Sequence, residues 1–164
     1  MNKLSLKLLG VDKLKPNVYV DGKRIKYKKN KYGAIECQCE CANPEAEVVI
    51  TKQSELASKW WLLMNILFFV ISIFGIFEPP YDSKGIMVNC KFVVSMAADT
   101  SVTVQVNSLT STGTFANINS TSTIREISNS YLVDKTIKRR WRIQAALRFF
   151  LFIAAAIGIL LLVI

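Results

Sequence analysis

The sequence predicts an α+β membrane protein in which two small antiparallel β-lobes, each a sandwich or meander, alternate with two transmembrane helices. Three observations carry that expectation. Two apolar stretches, Trp60–Phe77 and Ile143–Ile164, are each long enough to cross a bilayer core as a helix. The segments before them alternate apolar with polar residues, the period of half-buried strands. Both stretches also begin with tryptophan beside basic residues, Lys59-Trp60-Trp61 and Arg139-Arg140-Trp141-Arg142, the usual marker of a membrane–water boundary. The chain divides accordingly into a β-lobe at 1–53, a first transmembrane helix at 54–78, a second β-lobe at 79–133, and a second transmembrane helix with a basic N-terminal flank at 134–164.

Within the first lobe, Leu4, Leu6 and Leu8 alternate with Ser5 and Lys7. A short strand, Asn17–Val20, runs into Asp21-Gly22, the residues that a type I′ hairpin turn requires at its two positive-φ positions. The spacing predicts a return strand over Lys23–Lys28, a turn at Lys29–Gly33, and further strands over Ala34–Cys41 and Glu47–Thr51. Ser54 is placed to cap a helix running from Glu55 to Phe77 without a break, ended by Pro79-Pro80.

In the second lobe, Ile86, Val88, Cys90, Phe92, Val94 and Met96 share one strand face, and Val102, Val104 and Val106 repeat the pattern. Weaker strands are expected around Thr114–Ile118 and Thr123–Ile127. Asp134 starts the second helix. Trp61 and Trp141 mark corresponding points in the two halves, which suggests a duplicated lobe-plus-anchor unit, but the Asp21-Gly22 turn has no counterpart in the second half.

Hydrophobic residues make up 51% of the chain and its formal charge is +9, as expected for basic soluble parts attached to apolar spans. Cations beside a bilayer point to anionic lipid headgroups as a partner. Nucleic acid is the other common partner of a basic chain, but no recognition motif accompanies the charge. Each soluble segment is near the lower size limit for independent folding. Two small lobes or one composite lobe fit that size; a large enzyme core does not.

Chemistry-bearing residues are scarce. The chain has no histidine, which removes the commonest general base and triad partner. Glu36 and Glu40 on one strand would stand about 13 Å apart, too far for a paired-carboxylate site. Cys37, Cys39 and Cys41 share a strand face, but a zinc site would need distant Cys90 to complete its shell, so they read as small buried hydrophobes. No enzyme activity, metal or cofactor is expected.

The candidate contact residues fall into three groups. A basic patch that meets lipid or a partner comprises Lys23, Arg24, Lys26, Lys28, Lys29 and Lys31 on a hairpin, and Lys135, Lys138, Arg139, Arg140 and Arg142 before the second helix. The hairpin lysines read more simply as protection of an edge strand, which requires nothing beyond the fold. Trp60, Trp61 and Trp141 are interfacial anchors. Asn65, Ser72, Arg148, Ala154 and Gly158 are helix-packing positions, with Arg148 expected to snorkel toward the interface.

The flanks set a conflict, because consecutive spans with identical charge signals cannot both obey the positive-inside rule. No signal peptide is expected at the start of the chain, since Lys7, Asp12 and Lys13 interrupt the candidate stretch. The N-terminal lobe is therefore expected in the cytosol, with two full spans in the cell membrane and the second lobe outside. The alternative makes the first segment re-entrant or interfacial, which calls for a break that Trp60–Phe77 lacks before Gly75. The function expected is that of a membrane-anchored binding or scaffold protein using its β-lobes, with a protein partner or a second copy possible. An accessory or immunity-type membrane subunit acting through its helix faces is the alternative.

Overall fold

In the computed structural model the described residues are 2–11, 14–52, 54–67, 84–108 and 113–163. They form two compact units, Met1–Gln53 with Ile86–Val133, and Ser54–Gly85 with Asp134–Ile164.

The first unit holds ten strands: β1 (Asn2–Leu9), β2 (Pro16–Val20), β3 (Lys23–Arg24), β4 (Lys28–Lys29), β5 (Ile35–Cys41), β6 (Glu45–Lys52), β7 (Ile86–Ser95), β8 (Thr100–Val106), β9 (Ala116–Ser120) and β10 (Ile124–Val133). They make two five-stranded sheets, ordered β4-β5-β1-β8-β9 and β10-β7-β6-β2-β3. Each sheet turns one apolar face inward. Leu4, Leu6 and Leu8 of β1 are buried, as are Val48 and Ile50 of β6, Val88, Cys90, Phe92 and Val94 of β7, and Val102 and Val104 of β8. The ring of Phe115 meets Tyr131 edge-on at 5.5 Å, and the Tyr131 hydroxyl donates to the Asn107 carbonyl at 2.9 Å.

Two separate lobes do not form. Each sheet draws three strands from the first segment and two from the second, joined by parallel β1–β8 pairing and antiparallel β6–β7 pairing. The physical reason lies in size and edges. Either segment alone would bury too little apolar surface, and would leave β1, β6 or β7 as long unpaired edges open to aggregation. The parallel β1–β8 ladder also departs from the all-antiparallel expectation. With strands of both segments hydrogen-bonded in the same sheets, the expected two-span layout with one lobe on each side of a membrane is not supported.

Asp21 and Gly22 adopt φ of 48° and 75°, the paired positive values of the expected turn. Asp21 is further held by Glu47, whose backbone N–H donates to its carboxylate at 2.9 Å. The return strand differs from the expectation. It splits after Arg24, and the chain changes sheets so that β3 edges one sheet and β4 the other. Strand β10 runs to Val133, longer than its expected Thr123–Ile127, with a register shift between Glu126 and Ser128 that leaves Ile127 exposed.

The second unit contains a short 3₁₀ turn (Glu55–Ala57), helix α1 (Trp61–Leu67) and helix α2 (Lys135–Val163). Among the described residues, Lys135–Leu161 is the one helix long and apolar enough to cross a membrane. The rest of the expected first span, with Ser72, Gly75 and Pro79-Pro80, lies outside the described residues.

Candidate membrane interface

Helix α2 begins where its sequence says it should. Asp134 accepts from the backbone N–H groups of Thr136 (2.7 Å) and Ile137 (3.2 Å), satisfying donors that the first helical turn leaves without partners. Gly85 fits against this cap. Its carbonyl accepts from Asp134 N–H at 2.7 Å, its φ is +66°, and a Cβ there would lie 2.6 Å from Asp134 O and 2.8 Å from Lys138 Cβ.

One face of α2 is covered for its first four turns. Ile137 and Gln144 are buried, and Arg140, Trp141, Arg148 and Leu151 are half-buried, at steps of three and four residues. Arg140, Gln144 and Arg148 follow one another every fourth residue, so a polar line runs down this covered side. Arg148, expected to snorkel toward the interface, is half-buried on this face. Beyond Leu151 the covering ends, and 152–161 are exposed all round, including Phe152, Ile157, Leu160 and Leu161. Ala154 and Gly158 lie in this bare stretch, and a Cβ on Gly158 would meet nothing within 4 Å.

The unbroken helix expected from Glu55 is replaced by a turn, a break and a fresh start. Ala57 N–H bonds Ser54 O, and Ser58 Oγ accepts from Trp60 N–H at 3.2 Å just before α1. Arg140 bridges the break. Its Nη1 donates to Leu56 O at 2.7 Å and to Ser58 O at 3.2 Å. Those carbonyls would be acceptors for Trp60 and Leu62 N–H in a continuous α-helix. The same guanidinium stands 5.8 Å from the Trp61 ring centre, and Lys59 Nζ stands 5.8 Å from that of Trp60. Sequence reasoning named both flanks but did not anticipate that they meet; the shared basic–tryptophan punctuation was the available signal.

The remaining cations separate by location. Lys135, Arg139 and Arg142 are exposed on α2 and Lys138 is half-buried there. Lys23, Arg24, Lys26, Lys28, Lys29 and Lys31 are exposed on or beside the edge strands β3 and β4. That is the position at which lysine blocks edge-to-edge pairing. Asn65 lies on α1.

The thiols do not gather into a ligand set. Cys37 and Cys41 are buried on β5 and Cys90 on β7, in the other sheet, while Cys39 is half-buried. Burial pushes the Cys37 thiol up to about 11 and those of Cys39 and Cys90 up to about 12. A metal ligand or nucleophile needs the opposite shift.

No protein-family model matches this chain, and neither a curated protein nor a solved structure matches it.

Proposed function

We propose that the chain is a membrane-anchored binding or scaffold protein, with α2 holding it in a bilayer and its β-sandwich contacting another protein or the lipid surface. The observation that carries the reading is the bare stretch of α2. Its apolar side chains, Phe152 to Leu161, are covered by nothing in the described chain, and a helix hydrophobic all round calls for a medium that is not water. The sandwich, by contrast, buries its apolar strand faces within its own unit. The proposal requires one crossing, through α2, and does not depend on a second through Trp60–Phe77.

Alkaline carbonate washing of membranes from cells expressing the full chain tests this. The chain is expected to stay with the membrane, whereas Ile157→Arg with Leu160→Arg should shift it to the wash, because each central arginine costs about 3 kcal/mol on insertion. Release of the unsubstituted chain by carbonate would overturn the proposal.

The alternative, an accessory or immunity-type subunit acting through its helix faces, is supported by Ala154 and Gly158. These small residues share a face of the bare stretch, where a second helix could approach closely. Gly158→Leu, whose Cβ meets nothing within 4 Å, should abolish activity under this alternative and leave it intact under the first reading.

A further inference from the structure

All covalent links between the sandwich and the rest of the chain leave from one end of one sheet. In its register Thr51 faces Asn89 and Val133 faces Ile86. Lys52 Nζ donates to Ile86 O at 3.2 Å, so β6 ends where β7 begins. The chain therefore departs after Lys52, returns at Ile86, and departs again after Val133, all at that end. Because strands on both sides of 53–85 belong to the same sheets, that segment starts and finishes on one side of any bilayer. A single crossing cannot do this. Crossing and returning as two helices takes about 40 residues, more than 53–85 supplies.

We infer that the whole sandwich stands at the cytosolic leaflet and that α2 makes the one complete crossing among the described residues. The two basic–tryptophan flanks, Lys59–Trp61 and Lys138–Arg142, then form a joint contact with anionic phospholipid headgroups. This rests on the membrane reading above.

The flanks supply independent support. Arg140 reaches Leu56 O and Ser58 O and lies over Trp61, so both flanks occupy one level. On opposite faces of a bilayer they would be about 30 Å apart. Trp60 and Lys59 project at that level, and Arg139 and Arg142 are exposed there. Tryptophan favours the headgroup region and arginine the anionic surface. The charge conflict posed by the sequence also disappears: both flanks obey the positive-inside rule together, with the far end of α2 outside.

Two measurements on the full chain test the inference, both made on membranes that have survived carbonate washing, so that failure of anchoring is read separately. Cysteines are introduced singly at exposed Lys29 and Asn119, one in each sequence half, and a membrane-impermeant maleimide is applied to intact cells. Both positions should stay unlabelled until the cells are permeabilised, relative to the unsubstituted chain. Labelling of either in intact cells would overturn the shared cytosolic placement. For the headgroup contact, the detergent-purified chain is exposed to phosphatidylglycerol or phosphatidylcholine and retained lipid is read by native mass spectrometry. Several-fold more phosphatidylglycerol should be retained, and Arg139→Gln with Arg142→Gln should remove most of that excess. Equal retention of the two lipids would overturn the headgroup assignment.

Discussion

Phe92 on β7 and Phe150 on α2 are the same residue type, yet the first is 0% exposed and the second 69%. Strand β7 alternates, so one face is buried by the opposing sheet and the other carries Asn89, Lys91 and Val93. Helix α2 has no such alternation and past Leu151 no covering. The difference teaches that the sandwich's apolar surface is covered by its own chain, while that of α2 past Leu151 is covered by nothing among the described residues. Apolar content alone does not separate the two; period does.

The largest expected effect breaks that comparison at the sandwich. Phe92→Ala should destabilise the fold by about 3–5 kcal/mol through a core cavity, read from the urea midpoint in detergent. Phe150→Ala should shift the same midpoint by less than about 0.5 kcal/mol. A similar loss from both would mean that α2 packs as a core helix.

Gly85→Ala tests how α2 is seated. A methyl group there meets Asp134 O and Lys138 Cβ, and the backbone must hold a positive φ that disfavours side chains. Local opening around the Asp134 cap should become easier by about 2–3 kcal/mol. Faster amide exchange at residues 134–138 with unchanged exchange in β7 is the expected pattern.

A smaller effect follows from the buried thiols. Their folded values, raised to about 11–12 from 9.0, exceed those of the unfolded chain. The unfolded state therefore loses thiol protons first. Their contribution is fully present below about pH 9 and declines as pH rises from there toward 12. The urea midpoint should fall between pH 8 and pH 10, and Cys90→Val should make that fall shallower. An unchanged slope would show that Cys90 is not buried as described.

Much of the local structure was legible. The leucines of β1, the Asp21-Gly22 turn, the alternating β7 and the Asp134 cap follow from residue period and turn chemistry. What the sequence could not convey was long-range pairing. Nothing in Leu4–Leu8 or in Val102–Val106 names the other as its partner, so strands with free edges on both sides were assigned to separate lobes. The topology inferred from those lobes fell with them. The contacts at the break before α1 are hidden for a related reason: Arg140, which donates to the carbonyls of Leu56 and Ser58, lies far along the chain. The two basic–tryptophan flanks are legible as separate clusters, and their convergence needs the fold.

The central claim is that both halves of the sequence build one sandwich. Lys7 and Thr103 are register partners across the parallel β1–β8 ladder, one from each half, while Lys7 and Glu36 are partners within the first half. Paired cysteines at register positions lie within disulfide reach. Under mild oxidation in membranes, Lys7→Cys with Thr103→Cys should cross-link within the chain as efficiently as the control pair, Lys7→Cys with Glu36→Cys. Cross-linking of the control alone would show that the halves fold apart and would contradict the account.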